Sequence, residues 1–179
     1  MRRFPQPGPD DNVLRRDRYQ RVLVSALLNI NSNPGAVLLS VFHGETVPLL
    51  NEEIFAEYQN VLSREKFHFP AETVDVILRR MAAVGLNILT ADEEYPEIGD
   101  PKDRCFYTVT MTGRQTGDVL LITGNIRHFP SRSFVVTPTQ FWEILRKSRP
   151  EIGRGNGRRA GRYMKTRDGF PWFVKNILW

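Results

Sequence analysis

The chain has 179 residues, 41% hydrophobic and 25% charged, the size and balance of one globular domain with a full core. The single cysteine, Cys105, excludes an intrachain disulfide. No apolar run approaches the ~20 residues of a membrane span, and none follows Met1-Arg2-Arg3-Phe4-Pro5 as a leader would, so a cytoplasmic protein without a membrane partner is expected.

Residues 1–18 mix Pro, Gly, Asp and Arg without an apolar period and are expected to form a loose basic arm. The apolar run at 22–28 suits a short buried strand. Turn residues fill 29–34, and Pro34 with Gly35 opens a helix through Phe42. Residues 46–50 are a second strand, whose Pro48 lacks a ladder donor and predicts an edge or a strand end. Asn51 is a helix N-cap, with Glu52 and Glu53 in the first turn and Ile54, Tyr58, Val61 and Leu62 on the buried stripe. Pro70 starts the next helix, which puts Val74, Ile77, Leu78, Met81 and Val84 on one face and ends at Gly85.

A third strand is expected at 86–89, then a loop at 90–99 carrying four carboxylates, then a helix over 101–112. Strands follow at 118–122 and 134–136, and Thr137-Pro138 starts a last helix through Arg146. This alternation predicts, over 19–147, a three-layer α/β/α sandwich with a mainly parallel five-stranded sheet. Residues 148–179 form a basic Gly/Arg-rich tail. Its glycine run at 153–159 has no strand ahead of it and predicts a linker, not a nucleotide loop. The last ten residues are apolar enough to dock on the body or on a partner.

The net charge of +5 hides a partition. Residues 1–21 carry six Arg against three Asp, residues 22–145 nine Lys/Arg against fifteen Asp/Glu, and residues 146–179 ten Lys/Arg against two acids. An acidic body between basic ends differs from a uniformly basic nucleic-acid binder, because it retains local negative charge that can hold a cation.

The chemistry concentrates in two motifs. Asp100-Pro101-Lys102-Asp103 places two carboxylates three apart at a helix start, and Leu121-Ile122-Thr123-Gly124-Asn125 brings an apolar strand to a polar rim. In parallel α/β sheets functional groups gather at the carboxyl ends of strands, so both motifs are expected on one rim. Hard oxygen donors from separate segments suit Mg2+ or Mn2+, which lowers the pKa of bound water and neutralises charge on a scissile phosphate. Glu57, in mid-helix, is a candidate third acid. His43, His68 and His128 have no zinc spacing, and Cys105 reads as core. A phospho-acceptor receiver domain would need a central strand ending in a single Asp, and no strand here ends that way.

The order of motifs resembles a PIN domain. The matching segments are Leu23-Val24-Ser25-Ala26-Leu27-Leu28, Leu50-Asn51-Glu52-Glu53-Ile54 with Glu57, Asp100-Pro101-Lys102-Asp103-Arg104, Leu121-Ile122-Thr123-Gly124-Asn125 and Val136-Thr137-Pro138, spread over about residues 22–145. The nearest branch is that of toxin components of bacterial and archaeal toxin–antitoxin systems. The resemblance implies a Mg2+- or Mn2+-dependent endoribonuclease, an RNA substrate, an antitoxin partner and a homodimer. It implies Glu57, Asp100 and Asp103 as metal ligands and Glu57, Asp103 and Asn125 as the catalytic set. Arg104, Thr123, Arg127 and His128, on or near the expected rim, are the candidate RNA-contacting residues.

One departure is severe. Family members read Asp-Thr-Asn before the first apolar run, where this chain has Tyr19-Gln20-Arg21. A guanidinium there repels a cation, so weak ion binding and little cleavage are expected, and an inactive remnant that binds RNA or a protein is the alternative. Residues 17–22 can be encoded GAC CGA TAC CAA CGT GTN, whose neighbouring frame reads Thr-Asp-Thr-Asn-Val, so a frameshift upstream of Val22 would account for the missing motif. The tail beyond 149 carries no motif against which the same idea can be checked.

Overall fold

The computed structural model describes residues 22–90, 95–148 and the backbone of a strand at Lys175–Leu178. The expected arm at 1–18, Tyr19-Gln20-Arg21, the acids at 92–94 and the glycine run of the tail lie outside the described residues.

The fold begins with a helix, α1 (Val22–Leu28), where a strand was expected. A short continuous apolar run carries no period to separate the two, and tertiary pairing decides. Here Val22, Leu23, Val24 and Ala26 are buried against neighbouring helices instead of entering the sheet. The turn after it is local chemistry: the Ser32 hydroxyl donates to the Asn29 carbonyl and accepts from the Gly35 N–H, capping α2 (Asn33–Phe42) with Pro34 in its first turn. The two helices are bent by 96°; both pack into the core, and no single helix among the described residues is long and apolar enough to cross a membrane.

Strand β1 (Thr46–Leu50) follows, its Thr46 hydroxyl satisfied in the interior by Ser40 at 2.8 Å. Asn51 caps α3 (Glu52–Leu62) by accepting the Ile54 N–H at 2.8 Å, and Ile54, Tyr58, Val61 and Leu62 are its buried residues. Helix α4 (Ala71–Val84) buries Val74, Ile77, Leu78 and Met81, one stripe at helical spacing. Gly85 follows, where an added Cβ would lie 2.7 Å from the Leu50 side chain and 2.8 Å from the Met81 carbonyl oxygen, so a larger residue would push α4 off β1. Strand β2 (Leu86–Asn87) is only two residues long. Then come α5 (Pro101–Arg114), β3 (Val119–Ile122), β4 (Val135–Val136), α6 (Pro138–Ser148) and β5 (Lys175–Leu178). Thr137 and Gln140 cap α6 reciprocally: the Thr137 hydroxyl accepts the Gln140 N–H, and the Gln140 amide oxygen accepts the Thr137 N–H.

All strand pairs are parallel, in the order β2-β1-β5-β3-β4. The strands are short and fall into two small ladders that meet at β1, one with β2 and the other through β5 to β3 and β4. The α/β class is as expected, but the helices carry most of the structure and a broad sheet is not formed. Segment 175–178, expected only to dock somewhere, supplies the middle strand: Asn176 is in register with Val47 on one side and Val119 on the other.

Pro48 is therefore interior, not at an edge. The Leu50 carbonyl accepts from the Ile88 N–H on the β2 side, so Pro48, two residues earlier, faces the same side at a point where β2 has not begun. Its missing donor costs no ladder bond there. Helix α5 lies across β1, β5 and β3, and Gly113 permits the approach, since a Cβ there would sit 2.6 Å from the Leu49 side chain.

Candidate functional site

Three of these elements meet around one pocket of about 100 Å³. The first turn of α5 contributes Asp100, Lys102 and Asp103, α3 contributes Glu57, and the end of β3 leads through Thr123 to Asn125 and His128. Val22, Leu23 and Val24 of α1 form part of an apolar wall, together with Tyr58 and Phe106, whose rings lie 5.9 Å apart.

Asp100 is the N-cap of α5; its carboxylate accepts the Lys102 N–H at 2.9 Å. One oxygen is thereby committed to the helix end, where the dipole also favours negative charge. Asp103, one turn into the helix, points its Oδ2 at His128 Nδ1 at 2.7 Å. Glu57, whose side chain is 15% exposed, lies with its Oε2 3.8 Å from Lys102 Nζ. Two acids thus face one pocket, and each meets a basic side chain of the protein itself.

Thr123 is buried, and its hydroxyl accepts the Asn125 N–H at 3.0 Å, which fixes the turn that carries Asn125 into the pocket. His128 ends a short 3-10 turn at Ile126–His128 that no periodicity announced. Arg127 belongs to the same turn but does not line the pocket. Arg104, expected to face RNA, turns inward: its guanidinium donates to the Ile98 carbonyl at 3.2 Å, and its Nε is buried without a hydrogen-bond partner. It braces the loop ahead of α5. A charged residue type gives no helical rotation, so sequence alone left its direction open.

Lys102 is the residue that sequence reasoning missed. It lies between the two aspartates of the Asp-Pro-Lys-Asp motif, and that adjacency was the available signal. Behind the acids, burial pushes the Cys105 thiol up to about 12, with the charges of Glu53, Glu57 and Asp103 adding to the effect. Cys105 therefore stays a neutral core group that donates to the Lys102 carbonyl.

The donor set suits a hard divalent ion held by two carboxylates, an amide oxygen and water. It does not suit a closed protein cage: among the described residues no three Asp, Glu, His or Cys side chains cluster as a metal-holding group.

Comparison with curated proteins and with solved structures gives no match. A family model described as the PIN domain matches residues 21–127, and every acid of the pocket lies within that span. With more than half of its length matched, the chain belongs to the PIN-domain family, whose members are generally divalent-metal-dependent nucleases.

Proposed function

We propose that this chain is a PIN-type endoribonuclease of weak, Mg2+- or Mn2+-dependent activity. The observation that supports it is the convergence of Glu57, Asp103 and Asn125, from three distant segments, on one pocket. Glu57 and Asp103 would hold the ion, with Asp100 beside them at the helix end. The bound ion supplies charge neutralisation and a more acidic water. Asn125 offers an amide that orients water or a phosphate oxygen, and Thr123 keeps its turn in place. His128 at the rim and Arg127 just outside it are suited to contact the RNA backbone, whereas Arg104 acts on the loop. The motif order also supports a toxin role, with an antitoxin protein and a second copy of the chain as partners.

A second reading, an RNA-binding remnant that does not cleave, draws on Tyr19-Gln20-Arg21 at the position of the family's first acid. Incubation of the full chain with single-stranded RNA and Mn2+ separates the two. Cleavage that disappears in Asp103→Asn and Glu57→Gln supports the nuclease. Retention of RNA without cleavage at any Mn2+ or Mg2+ concentration supports the remnant.

A further inference from the structure

We propose that Lys102 is an internal counter-ion of the acidic pocket, held by Glu57 until a divalent ion takes its place and then transferred to a phosphate of the nucleic acid. The inference rests on the nuclease reading and assigns that site a coupling device.

Lys102 Nζ stands 3.8 Å from Glu57 Oε2, inside ion-pair range but beyond a good hydrogen bond. Its side chain is 56% exposed on a flexible four-carbon stem, whereas Glu57 is largely covered. The partner that can move is the lysine. Such a loose, half-exposed pair is weak and breaks at little cost when a stronger ligand arrives. A divalent ion brings twice the charge and coordinates carboxylate oxygens directly, at about 2.1 Å for Mg2+.

The other described cations around the pocket do not do the same. Arg104 is tied to the Ile98 carbonyl, and Arg127 does not line the pocket. His128 is held at 2.7 Å on Asp103. Lys102 alone, among the described cationic side chains of the pocket, combines slack, exposure and position at the mouth. Once released, its ammonium lies beside the start of α5, where helix polarity already favours an anion. Displacement by the ion would make Lys102 available to a phosphate, and a phosphate that draws Lys102 away would remove one positive charge from beside Glu57. Linkage requires the two effects to be reciprocal.

The test measures Mn2+ binding to the full chain by electron paramagnetic resonance, with and without a sugar-methylated, uncleavable RNA oligonucleotide. Lys102→Met and Lys102→Gln should bind Mn2+ about tenfold more tightly than the unmodified chain, since a repelling charge has gone. They should also bind the oligonucleotide more weakly than the parent, with the larger loss when Mn2+ is present. Lys102→Arg, which keeps the charge, should stay near the parent in Mn2+ affinity. Parent-like Mn2+ affinity in Lys102→Met, with binding abolished in Glu57→Gln, would overturn the counter-ion role and leave the nuclease reading standing. An equal gain in Lys102→Arg would overturn it too. Absence of Mn2+ binding in parent and variants alike would remove both.

Discussion

Asp100 and Asp103 are three residues apart on the same helical turn, yet they do different work. The first spends an oxygen on a backbone N–H of α5, while the second reaches across to the turn that follows β3. Thr123 supports that turn from beneath, and its loss is a stability question before it is a catalytic one. Thr123→Val should leave the Asn125 N–H without its acceptor and cost about 1–2 kcal/mol, read as a lower urea midpoint.

Cys105 gives a separate prediction with a definite sign. Its thiol is pushed from 9.0 to about 12 in the folded chain, so between those pH values the unfolded chain holds fewer protons on it. The stability tied to that proton is complete below pH 9 and is lost as pH rises toward 12, by up to about 1.4 kcal/mol per pH unit. Urea titrations from pH 8 upward should show a shallower alkaline decline in Cys105→Ala than in the parent chain.

Among the elements, α3 brings the pocket an acid from a segment remote from α5, since it carries Glu57. Removal of its cap in Asn51→Ala should cost about 1 kcal/mol and loosen the first turn, measurable by thermal melting followed by circular dichroism. Gly113 is equally exact in its demand. An alanine there would place a methyl against Leu49 and Val119 and should destabilise by about 1–3 kcal/mol.

These two helices also show what was legible in the sequence. The span of α3, its cap and its four buried residues follow from local chemistry and a 3.6-residue stripe, and so does α4. The Asp100/Asp103 pair was visible because a proline and a capping acid mark a helix start. The α1 run was not, because a seven-residue, mostly apolar run without a period suits either element, and only pairing partners elsewhere decide. Pro48 misled because the side toward which a strand donor points depends on register, which a single strand does not contain. The inward turn of Arg104 depends on how the preceding loop places the Ile98 carbonyl, and the loose pairing of Lys102 with Glu57 depends on a helix far earlier in the chain.

At the scale of the molecule, the decisive strand is β5. It pairs with both β1 and β3, and those two do not pair with each other, so the ladder on each side is completed only when β5 is seated. Asn176→Pro should interrupt this seam and lower stability by about 3 kcal/mol or more, with the unfolding transition losing its steepness. Residues 175–178 follow every other described strand in the chain. During translation, β1 to β4 must all emerge before the piece that joins them exists, and the nascent chain waits with two open sheet edges in the meantime. Completion of the sheet is thus timed by the ribosome, and chaperone demand should peak just before that segment is made.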